Sequence, residues 1–307
     1  MRSVALTFLG KGHFVPQLLG VLVLFAGTFP KESPASAREV PRPAVAPAPR
    51  GPSRVLVEEQ TLKAPEGPLS NLSPKEIQTL VATNLPSLGP ISVGRPNRGR
   101  LINGVTLPEA EGIEIMNPER NFGTRVTVDS LLAAVAEVRA THPNTPPLRV
   151  GDISRAPGGY IRPHRSHQNG LDVDLGYYYS SDARWYTKAN AQNLDRERTW
   201  ALVKALIAQG TVEYMFMDRS VQTLLRDHAI ASGESREWVD GLFQKAPRTE
   251  AMIRHTWGHL THFHVRFSDP EAETTARRLA PYSRSLTLAT AKAAAPKRRV
   301  QAKAKRR

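Results

Sequence analysis

The chain has 307 residues and is 40% apolar, enough for one large domain or two small ones with a sizeable core. It contains no cysteine, which excludes disulfides and any thiolate metal site, so a metal here needs nitrogen and oxygen ligands. The net charge of +14 is concentrated at one end. Eleven Lys and Arg and no acid follow Thr275, whereas residues 38–275 sum to +1, which argues against a nucleic-acid-binding fold.

In chain order, residues 18–29 are an apolar stretch preceded by Arg2 and Lys11 and followed by Ala35-Ser36-Ala37. This is the layout of a secretory signal peptide over 1–37, cleaved after Ala37. Retention as an N-terminal anchor is the alternative, although a membrane span takes about 20 apolar residues. Residues 38–88 read as a Pro-rich linker or pro-region. Within them, Ser73-Pro74 predicts the start of a short helix ending near Leu80. Residues 89–100, with five Gly or Pro and three Arg, read as a loop. Apolar positions Val128, Leu131, Leu132, Val135 and Val138 predict a helix over 127–141. Strands are expected at 148–153, 171–175, 212–217 and 262–267. Helices are expected at 196–209, stopped by Gly210, and at 221–231 and 238–244. Helices and strands do not alternate regularly, which points to an α+β fold with a small antiparallel sheet flanked by helices. The domain is placed at 89–282. Residues 283–307 form a basic tail that cannot bury enough apolar surface to fold alone, so disordered extensions are expected at both ends.

Six of the nine histidines sit in two distant segments. One is His164-Arg165-Ser166-His167-Gln168-Asn169-Gly170-Leu171-Asp172-Val173-Asp174. The other runs from His255 through Trp257-Gly258-His259 to His262-Phe263-His264-Val265-Arg266. In a strand, residues i and i+2 share a face. His262, His264 and Arg266 therefore share one face, with Phe263, Val265 and Phe267 on the other. Asp172 and Asp174 likewise lie opposite Leu171, Val173 and Leu175. Both strands are expected to bury the apolar face and leave the ionisable face wet. Paired in one sheet, they bring His264 and Asp174 to one ion, and Gly170 lets the chain turn so that His167 joins them. Two imidazoles and one carboxylate leave a fourth zinc position open, the design of a catalytic site.

These two motifs resemble those of the penicillin-insensitive murein endopeptidases, within the wider group of lysostaphin-type, D-alanyl-D-alanine and hedgehog-type zinc peptidases. The resemblance covers roughly residues 89–270. It implies exported enzymes that cut peptidoglycan cross-links at D-alanyl–meso-diaminopimelate bonds. It also implies zinc ligands His167, Asp174 and His264, catalytic histidines His262 and His259, and His164 beside the metal as a ligand for an additional ion. His259 is expected to act as an imidazolium. Asp172 receives no ligand role. The resemblance leads to an expectation of cysteines, and the chain departs from it in having none.

The resulting expectation is a zinc-dependent (Zn2+) peptidoglycan endopeptidase, periplasmic or secreted. The basic tail would hold it to anionic envelope polymers. Two alternatives stay open: a D-Ala-D-Ala carboxypeptidase or dipeptidase, and a non-catalytic zinc-stabilised wall-binding domain.

Overall fold

A computed structural model of the chain describes residue 69 and residues 71–286. The leader, most of the Pro-rich stretch and all but the first four residues of the expected tail lie outside the described residues. Among the described residues, no helix is long and apolar enough to cross a membrane.

The first helix, α1 (Pro74–Thr83), starts where Ser73-Pro74 predicts. The Ser73 hydroxyl accepts from the Glu76 amide at 3.3 Å, and the Glu76 carboxylate accepts from the Ser73 amide at 2.8 Å. This reciprocal capping satisfies two amides that the first turn leaves unpaired.

The loop expected at 89–100 is instead a hairpin of β1 (Ile91–Arg95) and β2 (Arg98–Ile102), with Arg95 opposite Arg98 across Pro96 and Asn97. Its glycines serve the ladder's close approaches. Gly94 adopts φ +78°, and a Cβ there would lie 2.6 Å from the Arg98 carbonyl oxygen. The hairpin, α1 and α6 (Pro270–Leu279) share a small core of Leu69, Ile77, Val81, Leu85, Leu88, Ile91, Ile102, Leu279 and Leu286. Of this core, Leu69, Ile77, Val81, Leu85 and Leu88 precede residue 89 and Leu286 follows residue 282.

The main sheet has six strands in the order β4 (Ile113–Ile115), β6 (Leu148–Val150), β7 (Asp172–Gly176), β10 (His262–Phe267), β8 (Val212–Met217), β9 (Ile253–His255). It is antiparallel from β6 through β8, and each edge strand adds in parallel. Between β2 and β6, β3 (Val105–Thr106) pairs with β5 (Phe122–Gly123). Among the described residues, four further α-helices complete the α+β fold: α2 (Arg125–Thr141), α3 (Arg196–Ala208), α4 (Arg219–Ala231) and α5 (Arg236–Leu242). Thr124, Asp195, Asp218 and Ser235 cap their first turns by accepting backbone amides.

The apolar faces of β7 and β10 carry Val173, Leu175, Phe263, Val265 and Phe267, all fully buried in the main core. Burying each such side chain contributes about 1.5–3 kcal/mol. This anchors the two strands and fixes which way their ionisable face points. That face is not wet, contrary to the expectation from alternation: every residue of β7 is buried, with Asp172 0% and Asp174 4% exposed. β7 is a central strand, and the segment carrying His164 and His167 folds over its carboxylates.

Candidate metal centre

Register delivers the first two groups. His264 lies directly opposite Asp174, Arg266 opposite Asp172, and His262 opposite Gly176. The loop between β6 and β7 delivers the other two. It is tied to β7 by Gly151 N–H donating to the Asp174 carbonyl (2.8 Å) and Asp174 N–H donating to the Asp152 carbonyl (3.0 Å). It turns at Gly170, φ +78°, where a Cβ would lie 2.8 Å from the Leu101 side chain. The Gly170 carbonyl accepts from Thr124 N–H (3.0 Å) and the Thr127 hydroxyl (2.8 Å), which fixes the turn against the start of α2. His167 itself has φ +64°, a left-handed conformation that non-glycine residues adopt at a cost of about 1–3 kcal/mol. Its amide donates to Asp172 Oδ2 at 2.9 Å, which holds it there.

His167 Nε2, His264 Nδ1 and Asp174 Oδ1 form a buried triangle with sides of 3.1, 3.1 and 3.3 Å. The far nitrogens define the tautomers. His167 Nδ1 faces the Ile153 carbonyl at 3.0 Å, and His264 Nε2 faces Asp172 Oδ1 at 3.1 Å. Each far nitrogen must carry a hydrogen to make that contact. A neutral imidazole then turns a lone pair into the triangle, so two lone pairs and a carboxylate oxygen point at one another. Such a spot requires a cation. Zinc donors at about 2.0–2.1 Å in a tetrahedron stand about 3.3 Å apart, so this donor set fits zinc in both chemistry and size. Without a metal a proton fills the role. Burial works against a charged His264, but Asp172 and Asp174 outweigh it and lift its pKa to about 9. Burial likewise opposes ionisation of Asp174, but His167 and His264 hold its carboxyl well below the usual range.

His164 joins the same cluster. Its Nδ1 lies 3.6 Å from Asp174 Oδ2, and donor atoms of His164, His167 and Asp174 all fall within 4.8 Å of one another. Its Nε2 lies 2.9 Å from Asp152 Oδ2.

His262 stands at the edge. Its Nε2 is 3.9 Å from Asp174 Oδ2, and its Nδ1 is 3.0 Å from the Thr261 hydroxyl. Burial lowers its pKa to about 4, with His259 and His264 adding to the effect against the pull of Asp174. The ring is therefore neutral near pH 7, with Nε2 turned towards the cluster. Trp185 and Tyr186 flank it, each with its ring centre 6.3 Å away.

The His259 ring centre is 5.1 Å from that of His262. Its Nδ1 sits 3.2 Å from the carbonyls of both Thr256 and Trp257, so that nitrogen carries the hydrogen. Burial, then the charge on His264, lower its pKa. Both effects work against the imidazolium expected for this ring. His255 is not in the cluster. Its ring packs against the exposed Trp257, 5.2 Å between centres.

Sequence reasoning did not single out Asp152, Arg120 or Trp185, and it gave Asp172 no role. The i, i+2 spacing of Asp172 and Asp174 was the one available signal, because it places both carboxylates on the face that carries the histidines. Nothing local marks Asp152, which reaches His164 only through the loop's fold.

An α+β domain that gathers three histidines and an aspartate onto one buried strand pair, with a further neutral histidine at the rim, has the donor set of a metallohydrolase. The profile of the penicillin-insensitive murein endopeptidases matches residues 92–285, and the chain belongs to this family of peptidoglycan hydrolases, which are metallopeptidases. The penicillin-insensitive murein endopeptidase of Haemophilus influenzae is 28% identical over 209 residues, a match covering 62% of this chain and 67% of that protein. Peptidoglycan is accordingly the substrate class.

Proposed function

We propose that the chain is a zinc-dependent endopeptidase that cuts peptide cross-links of peptidoglycan at D-alanyl–meso-diaminopimelate bonds, outside the cytoplasm. The observation that carries this reading is the triangle of His167, His264 and Asp174 donors, closed to within 3.3 Å inside the matched region. His167, Asp174 and His264 would hold the metal, with His164 as a further donor at the same carboxylate. When bound, zinc supplies Lewis acidity, acidifying a water and polarising the scissile carbonyl. His262 takes the proton of the attacking water at Nε2 and passes it to the departing amine. Its neutral state near pH 7 leaves that nitrogen free to accept. His259, with Nδ1 held by two carbonyls, offers Nε2 as an acceptor for a substrate N–H or O–H and supports the position of His262. Trp185 and Tyr186 pack beside it.

Chromatography of muropeptides after digestion of purified peptidoglycan tests the bond. The expected result is loss of cross-linked dimers and gain of monomers with intact stem peptides. Release of terminal D-alanine alone would make the chain a carboxypeptidase. No change with zinc present would make it a wall-binding domain.

The leader-like pattern in 1–37 supports export to the periplasm or beyond, and the basic end supports a tether to anionic envelope polymers. Because Leu286 is buried in the small core, the deletion that tests the tether is limited to 287–307. Cell fractionation checks both ideas. The chain is expected in the envelope fraction, cleaved after Ala37, and less retained on isolated walls once 287–307 are deleted. Cytoplasmic recovery contradicts export, and undiminished retention contradicts the tether.

A further inference from the structure

Two buried carboxylates lie behind the cluster, and each grips the far ring nitrogen of a histidine that faces it. Asp172, 0% exposed, meets His264 Nε2 through Oδ1 at 3.1 Å. It accepts two guanidinium bonds from Arg266, at 2.6 Å on Oδ1 and 3.0 Å on Oδ2, and the His167 amide on Oδ2 at 2.9 Å. Asp152, 4% exposed, meets His164 Nε2 through Oδ2 at 2.9 Å. It accepts from Arg120 at 2.9 Å on Oδ2 and from the Asn117 amide at 2.6 Å on Oδ1. The two arrangements repeat one pattern, histidine to aspartate to arginine, and their histidines face different oxygens of Asp174, His264 at Oδ1 and His164 at Oδ2. In each, the arginine offsets the cost of a buried carboxylate, and the carboxylate fixes the histidine's tautomer and ring plane.

We propose that Asp172 and Asp152 are positioning residues for the metal centre, with Asp172 setting His264 and the strained His167 backbone together and Asp152 setting His164. This rests on the metal reading of the site given above. Metal-bound histidines commonly donate their other N–H to a carboxylate, and loss of that partner weakens metal binding by about 10–100-fold. A purely structural role would be different. An Asp172–Arg266 pair that only joined β7 to β10 would affect stability and leave the affinity of the folded protein for metal unchanged.

The test uses the full chain and its Asp172→Asn and Asp152→Asn variants. Zinc affinity is read by competition with a chromophoric chelator, the ligand field by the visible spectrum of the cobalt-loaded protein, and the fold by near-ultraviolet circular dichroism. Each folded variant is expected to bind zinc about 10–100-fold more weakly than wild type and to show shifted cobalt bands. Folded variants with wild-type affinity and an unchanged spectrum would overturn the proposal. Should Asp172→Asn fail to fold because Arg266 is left buried without its partner, Asp152→Asn decides, since its partner Arg120 is 32% exposed. A wild-type chain that binds no zinc would overturn the metal reading itself, so the two failures are distinct.

Discussion

Replacing Asp174 with Ala is expected to remove metal binding and peptidase activity together. Asp174 is the one anionic group in the triangle. Four imidazoles face its carboxylate: His264 at 3.1 Å, His167 at 3.3 Å, His164 at 3.6 Å and His262 at 3.9 Å. Without it, a divalent ion among neutral imidazoles has no anionic donor in contact, since Asp172 and Asp152 lie behind the rings and are each paired with an arginine. Burying an uncompensated charge is among the costliest changes a protein can undergo. Loss of a mere supporting carboxylate weakens metal binding about 10–100-fold, so loss of a direct ligand is expected to exceed about 100-fold. Metal content after dialysis and muropeptide release, measured on one preparation, check this. An Asp174→Ala protein that retains both stoichiometric metal and activity would contradict the ligand set.

The second large effect is on turnover alone. His262→Ala is expected to leave the metal bound and to lower kcat by about 10²–10⁴-fold, the range for a general acid–base group. The asymmetry follows from position. His262 Nε2 is 3.9 Å from Asp174 and outside the 3.1–3.3 Å triangle, so its removal takes no donor from the cation. It does remove the neutral acceptor nearest the cluster, on the side lined by Trp185 and Tyr186. Metal analysis and kcat at saturating substrate separate the two contributions. Full turnover in a metal-loaded His262→Ala protein would assign the proton transfer elsewhere.

The elements that position the site were legible where the pattern is local. β8 and β10 span the predicted residues, and in β10 the alternation of polar with large apolar residues is a property of the strand itself. The same alternation put His264 and Asp174 on faces that converge once the two strands pair, and β7 and β10 do pair, with these two residues opposite each other. What alternation cannot convey is what covers a face. The face of β7 with Asp172 and Asp174 looked wet because both residues are charged, but a turn at Gly170 and a left-handed His167 fold the preceding loop back over it. The β1–β2 hairpin was hidden for the opposite reason. Its Gly, Pro and Arg are loop-like in composition, yet Gly94 and the Pro96–Asn97 turn are what allow two short strands to close. His167, Asp174 and His264 could be listed from strand faces and spacing, and His164, His259 and His262 from the family resemblance. The bracing carboxylates could not, since Asp152 meets His164 only after the loop has folded.

Loaded with zinc, this His–Asp cluster is expected to cut peptidoglycan cross-links. The decisive measurement follows cross-linked muropeptide dimers in purified peptidoglycan treated with one protein preparation in three states: zinc-loaded, stripped by a chelator, and restored with zinc. Dimers are expected to disappear, persist and disappear again. Dimer loss that survives complete removal of the metal, or no loss in the zinc-loaded state, would contradict the account.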